Sequence, residues 1–105
     1  ICKLVALEPA ESPVMSGGES GLHGIQGIGD GSKFLVDLED IDRIEIVSTE
    51  EAIEKSKSLA KQYGLFIGFS AAANFLIAEK LISEGYAKNV VTILCDRGER
   101  YFSCL

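Results

Sequence analysis

A glycine-rich segment near the start of the chain is the first candidate for chemistry. Seven of the eleven glycines fall between Pro9 and Ser32, and they culminate in His23-Gly24-Ile25-Gln26-Gly27-Ile28-Gly29-Asp30-Gly31. Alternating glycines allow the backbone to approach a ligand closely and to adopt conformations that other residues avoid. The segment lacks the GxGxxG spacing of a dinucleotide-binding turn and the lysine of a P-loop. Spacing alone leaves two interpretations open, a ligand-binding loop and a turn without a ligand.

Ser70 is the second candidate, because it stands at the start of a helical pattern. The preceding residues Gly68 and Phe69 end a short apolar run, and three alanines follow it. Ser70 is a good N-cap residue, and a helix N-terminus offers unpaired N–H donors and a partial positive charge. A ligand atom with a lone pair could lodge there, held by the hydroxyl. The alternative is that Ser70 merely caps its own helix.

The elements that must position these residues alternate between strand and helix. Apolar runs at residues 2–8, 43–47 and 89–95 are typical of strands, and helical periodicity follows Ser48 and Ser70 until Gly64 and Gly85. Strands separated by helices predict an α/β fold with a mostly parallel twisted sheet flanked by helices. A strand that begins at the first residues indicates that the chain was cut from a longer protein.

Composition argues against several classes of protein. The net charge is −6, and the basic residues are interspersed with acids, so nucleic-acid binding is not expected. No apolar run reaches the roughly 18–20 residues that span a bilayer, and nothing resembles a signal peptide. The three cysteines have neither CxxC spacing nor an even number, so we expect reduced thiols, no metal site and a cytoplasmic location.

Several motifs in order carry a resemblance to a known family. They are Leu7-Glu8-Pro9, Ser12, Ser16-Gly17-Gly18, residues 23–29, Ser48 to Ala52, Gly68-Phe69-Ser70 and Gly98-Glu99-Arg100-Tyr101-Phe102-Ser103. Together they resemble the C-terminal third of cysteine synthase (O-acetylserine sulfhydrylase), a fold-type II pyridoxal-phosphate enzyme. The resemblance implies that residues 1–105 are a C-terminal fragment of the larger pyridoxal-phosphate-binding domain.

The resemblance also implies a role for particular residues. Ser70 matches the serine that hydrogen-bonds the pyridine nitrogen of pyridoxal 5'-phosphate, and Gly27, Ile28 and Gly29 match the loop beside cofactor and substrate. The Schiff-base lysine and the phosphate-binding loop of the family lie upstream, and none of the seven lysines here has their context. The fragment alone should therefore be inactive. The remaining N-terminal part of the enzyme, a small amino-acid substrate and a second copy in a homodimer are the expected partners.

Asp30 departs from the family pattern, which usually has a small apolar residue at this position. The family's reaction implies loss of the β-substituent of the substrate, which leaves an aminoacrylate that a nucleophile attacks. A carboxylate nearby would repel hydrosulfide, but it could deprotonate water. Asp30 as a catalytic residue therefore favours breakdown of L-cysteine to hydrogen sulfide and L-serine. Alternatively, Asp30 faces solvent or bonds nearby backbone, as aspartate often does in glycine-rich turns.

Three other functions remain open from the sequence. The first is ordinary cysteine synthesis from O-acetyl-L-serine and sulfide. The second is a non-catalytic regulatory or interaction module with the same fold. The third is a stand-alone α/β domain, which the abrupt first strand argues against.

Overall fold

Two parallel strands and two helices form the regular structure. The computed structural model describes residues 2–25, 28 and 37–98. In chain order they form strand β1 (Val5–Pro9), a 3₁₀ turn (Leu38–Asp40), strand β2 (Arg43–Val47), helix α1 (Thr49–Tyr63) and helix α2 (Phe69–Ser83). The chain divides into two compact units, Ile1–Thr49 and Glu50–Leu105. The parallel α/β class predicted from the sequence is confirmed.

The first unit is organised by the pairing of its two strands. β1 and β2 run parallel, with a register from Val5 opposite Arg43 to Pro9 opposite Val47. The ladder continues one step, since the Ala10 amide donates to the Val47 carbonyl at 2.9 Å. β2 has its predicted bounds, whereas β1 begins later than the predicted residue 2. Parallel pairing makes the two strands end side by side, so the segments that follow them start from the same edge.

The second unit is built from the two helices, whose ends follow the sequence signals. Gly64 and Gly85 adopt positive φ values of 68° and 77° directly after α1 and close to the end of α2. Glycine tolerates this conformation because it has no Cβ. The core consists of Leu59, Ile67, Ala71 and Ala72, with Leu65 and Phe75 packed against it. On the surface, Lys55 of α1 forms an ion pair with Glu79 of α2.

A clamp on residues 66–68 fixes the start of α2. The Gly98 amide donates to the Phe66 carbonyl at 3.0 Å, and the Gly68 amide donates to the Asp96 carbonyl at 3.1 Å. On the other side, the buried Ser56 hydroxyl of α1 donates to the Ile67 carbonyl at 3.0 Å. The direction of α2 is therefore set by hydrogen bonds that reach its leading residues from two other parts of the second unit.

The strand predicted at residues 89–95 is absent. This segment is irregular, and Val91 and Ile93 are 97% and 71% exposed. An apolar run becomes a strand only when a neighbouring strand supplies the ladder of hydrogen bonds, and no described residues do so here. Cys2 and Cys95 are also exposed, although both lie within the apolar runs that were predicted to be strands.

No helix in the described ranges is both long enough and apolar enough to cross a membrane.

The Ser56 hydrogen bond gives a test of the clamp. Ser56→Ala in the complete protein should lower the free energy of unfolding by about 1–3 kcal/mol, because a buried carbonyl loses its partner. Ser58→Ala is the matched control, since it makes the same helix-favouring change within α1. Chemical denaturation that gives equal stability for the two variants would contradict the clamp.

Candidate functional site

Ser70 lies in the first turn of α2, and the N-cap of that helix is Gly68. Gly68 has extended backbone angles (φ −72°, ψ 174°), and no side chain caps the helix. Its carbonyl accepts the first helical bond, from the Ala72 amide at 3.0 Å. The prediction that Ser70 is the N-cap is therefore wrong. The clamp on residues 66–68 holds the chain extended only as far as Gly68, so the helix has already begun at Phe69.

Ser70 lies in a buried first turn of α2. Ser70 is 3% exposed, and its helical neighbours Phe69, Ala71, Ala72 and Ala73 are also buried. The first turn of α2 contains no acidic residue. A serine buried in a first turn without acidic residues, at the positive end of a helix, fits an uncharged ligand atom with a lone pair, such as a pyridine nitrogen.

The glycine-rich segment is described only in part. Gly27, Gly29 and Asp30 lie outside the described residues, whereas Ile28 is half-buried. The residues that lead into them are fixed. The Gly24 amide donates to the Thr49 hydroxyl at 2.8 Å, and the Ile25 amide donates to Nδ1 of His23 at 3.2 Å. Ile25 itself is fully buried.

Glu8 organises the loop after β1, a role that the sequence did not predict. Its side chain is buried, at 2% exposure. The carboxylate accepts hydrogen bonds from the Met15 amide at 2.6 Å, the Ser16 amide at 2.8 Å and the Ser16 hydroxyl at 2.5 Å. A buried carboxylate is tolerated when several donors surround it, so Glu8 and the turn at residues 15–16 depend on each other. The only signal in the sequence was an acid at the end of an apolar strand.

Ser12, another residue of the motifs, is not explained by the packing around it. Its hydroxyl is enclosed and has no hydrogen-bond partner among the residues that the structure describes.

The lysines in the described ranges do not resemble a buried reactive amine. Lys3, Lys57, Lys61, Lys80 and Lys88 are exposed. Lys55 is less exposed, but its ammonium is paired with Glu79 and lies 5.6 Å from the centre of the Phe75 ring. Groups of three or more residues suited to metal binding are also absent from the described part of the chain.

Comparisons with known proteins agree with the motifs. No protein-family model matches the chain. Cysteine synthase B of Campylobacter jejuni is 43% identical over 103 residues, which cover 95% of this chain and 33% of that protein. The crystal structure of cysteine synthase from Entamoeba histolytica has a TM-score of 0.90 at 36% identity and covers 96% of this chain and 31% of that one.

A hydrogen sulfide-producing enzyme of Fusobacterium nucleatum is also similar. It has a TM-score of 0.84 at 36% identity, over 97% of this chain and 31% of the enzyme. The chain thus spans about a third of the length of the relatives that it matches.

The fold and these matches define the class of protein. The chain has the fold of part of a fold-type II pyridoxal-phosphate enzyme, which confirms both the predicted class and pyridoxal 5'-phosphate as the cofactor. Within that class, its sequence is similar to that of cysteine synthases, which confirms the resemblance that the motifs indicated.

Glu8→Gln tests whether the buried carboxylate supports the loop after β1. An amide has one acceptor oxygen where the carboxylate has two, and its NH₂ group would face the donors of residues 15–16. We expect a loss of about 1–3 kcal/mol in the free energy of unfolding of the complete protein, measured by denaturation. Glu19→Gln, at an exposed position in the same stretch, is the control. A Glu8→Gln variant as stable as that control would refute this role.

Proposed function

We propose that the complete protein is a pyridoxal-phosphate enzyme that eliminates or replaces the β-substituent of a small amino acid. The observation that carries the proposal is the burial of Ser70 in the N-terminal turn of α2, a turn that contains no acidic residue. The activity belongs to a protein longer than this chain, because the relatives are about three times as long. The rest of the protein would supply the Schiff-base lysine and the phosphate-binding loop.

Ser70 would donate a hydrogen bond to the pyridine nitrogen of the cofactor. Pyridoxal phosphate, when bound, withdraws electrons from the substrate's α-carbon. A neutral hydroxyl leaves the ring nitrogen unprotonated, which a carboxylate at the same position would not do. The ring then withdraws electrons less strongly, which favours expulsion of a leaving group over reactions that need a long-lived carbanion. The absence of acidic residues from the first turn of α2 supports this role.

Gly27, Ile28 and Gly29 would lie beside the cofactor and the substrate. Glycine on both sides of Ile28 would allow the backbone to approach a small substrate closely. The fixed positions of residues 23–25, which lead into this stretch, support the assignment.

We further propose that Asp30 turns the reaction toward breakdown of L-cysteine. The carbon–sulfur bond at the β-carbon breaks, water adds its oxygen to that carbon, and the products are hydrogen sulfide and L-serine. Asp30 would take the proton from water, a contribution typically of about 10²–10⁴-fold for a positioned base. The same charge would oppose hydrosulfide, since two unit charges about 4 Å apart interact by about 4 kcal/mol at an effective dielectric constant of about 20.

Similarity to the Fusobacterium nucleatum enzyme supports this direction. That protein is described as producing hydrogen sulfide, and one of its structures holds the α-aminoacrylate intermediate in an aspartate-to-asparagine variant. Retention of such an intermediate is the result expected when a base that activates water is removed.

Ordinary cysteine synthesis is the second candidate. It is favoured by the higher identity, 43%, to cysteine synthase B of Campylobacter jejuni. In that case Asp30 would bond nearby backbone and take no part in the reaction.

A non-catalytic module of the same fold is the third candidate. The absorbance of bound cofactor in the complete protein, present or absent, separates this module from both enzymes. For either enzyme we propose a cytoplasmic homodimer.

Ser70→Ala tests the cofactor contact. We expect the complete enzyme to bind cofactor with an altered visible absorbance spectrum and to lose about tenfold in kcat/KM, the equivalent of one hydrogen bond to the reacting group. Ser83→Ala, at the exposed end of the same helix, is the matched control. If the Ser70→Ala spectrum and rate equal those of the control, Ser70 does not contact the cofactor.

Asp30→Asn tests the direction of the reaction. Formation of serine and sulfide from L-cysteine should fall by about 10²–10⁴-fold, because the base for water is lost. Synthesis of cysteine from O-acetyl-L-serine and sulfide should be retained or increased, because the repulsion of hydrosulfide is removed. Asp40→Asn, at an exposed position, controls for the change in net charge. Undiminished production of serine and sulfide would disprove the assignment of Asp30.

A further inference from the structure

Thr49 connects the start of α1 to the beginning of the glycine-rich segment. The carboxylate of Glu11 accepts hydrogen bonds from the Thr49 amide, at 3.1 Å and 2.9 Å to its two oxygens, and from the Thr49 hydroxyl at 3.2 Å. The same hydroxyl accepts a hydrogen bond from the Gly24 amide at 2.8 Å. A threonine hydroxyl has one proton to donate. Because that proton is directed at Glu11, the oxygen lone pairs are held toward Gly24.

Thr49 also limits the size of the residue at position 24. A Cβ built on Gly24 would lie 2.6 Å from the Thr49 Cγ2 methyl but 3.7 Å from its hydroxyl oxygen. Gly24 is not among the glycines with positive φ, so its backbone would accept alanine. The methyl of Thr49 is therefore what requires glycine at position 24. Thr49 holds Gly24 by one hydrogen bond and one steric contact at the same time.

Most of this network is partly exposed to water. The bonds between Glu11 and Thr49 lie at the surface, and the bond from Gly24 is only partly buried. Water can replace an exposed partner, so such bonds add little to the stability of the fold. They still restrict direction, because an amide bonded to a fixed hydroxyl cannot turn away from it. The network is thus better suited to positioning than to stabilisation.

We propose that Thr49, braced by Glu11, is a positioning residue that sets the direction in which the chain leaves Gly24 toward Ile28. This inference rests on the proposed function, in which Ile28 and its glycine neighbours lie beside the substrate. Neither Thr49 nor Glu11 touches the substrate. Their effect is on rate, since a misplacement of about 1 Å near a reacting group can cost about 100-fold.

Thr49→Val in the complete protein removes the hydroxyl and keeps a side chain of the same shape. We expect kcat/KM for the preferred substrate to fall by about 10- to 100-fold, mainly in kcat, with unchanged cofactor content and a melting temperature close to that of the unaltered protein. Thr49→Ser keeps the hydroxyl and should retain activity. Glu11→Gln should give a smaller loss than Thr49→Val, and Glu50→Gln, an exposed acid beside Thr49, should give none.

A steric rescue tests the contact independently of the hydroxyl. Gly24→Ala should impair turnover because its new Cβ meets the Thr49 methyl, and adding Thr49→Ser should restore at least tenfold, because serine lacks that methyl. If Gly24→Ala and the double variant with Thr49→Ser are equally impaired, the steric contact between position 24 and the Thr49 methyl has no role.

Hydrogen exchange separates failure of the inference from failure of the proposed function. The amide of Gly24 should exchange faster in Thr49→Val than in the unaltered protein, and this readout does not depend on activity. Faster exchange with unchanged turnover would overturn the positioning role, and unchanged exchange would overturn the hydrogen bond itself. Absence of cofactor absorbance and of products in the unaltered protein would instead overturn the proposed function, and the positioning role with it.

Discussion

The parallel pairing of β1 with β2 is the constraint on which the first unit depends. With Pro9 opposite Val47, the two strands end at one edge, and the residues that follow each of them start side by side. That is how Glu11, two residues after β1, comes to hold Thr49, two residues after β2. In parallel α/β sheets the carboxyl ends of the strands are the usual location of ligands. A register shift of a single residue would turn the side chains after β1 to the opposite face and separate this pair.

In the second unit, the corresponding constraint is the fixed start of α2. Hydrogen bonds from the Gly98 and Gly68 amides and from the Ser56 hydroxyl hold residues 66–68 extended, and they determine where the helix begins without a side-chain N-cap. The consequence for chemistry is indirect. Because Gly68 takes the N-cap position, the hydroxyl of Ser70 is not used to satisfy its own helix. The proposed contact of Ser70 with the cofactor therefore depends on a feature of the fold that lies outside the residue itself.

The sequence predicted what depends on local signals. β2, the limits of α1, the end of α2 and the parallel class followed from apolar periodicity and from the glycines that end each helix. The prediction of a strand at residues 89–95 was wrong. Strands pair with residues that are distant in the sequence, and an apolar run carries no information about which residues those are. Ser70 was misassigned as a cap for a related reason, since the bond from Gly68 to Asp96 spans a long stretch of chain.

The candidate site was predicted by resemblance more than by physics. Ser70 and the glycine-rich segment were identified from motifs, whereas the supporting contacts of Glu8, Glu11 and Thr49 were not anticipated. These three residues are common surface types, and nothing in their spacing says that two strands will end together. The spacing of the glycines did not distinguish a ligand-binding loop from a turn without a ligand. Only the family resemblance favoured the ligand-binding loop.

The contact between Gly24 and Thr49 has an evolutionary consequence. Residues that hold the glycine-rich segment lie outside the part that would meet the substrate. If Asp30 has the proposed role, selection on substrate preference could act on position 30 without changing Gly24 or Thr49, and a change between alanine and aspartate there would be accessible in a single step. Position 24 has no such freedom while its neighbour is threonine, because the two must change together. We therefore expect related proteins to differ in the reaction that they catalyse while they keep the pair of Gly24 and Thr49.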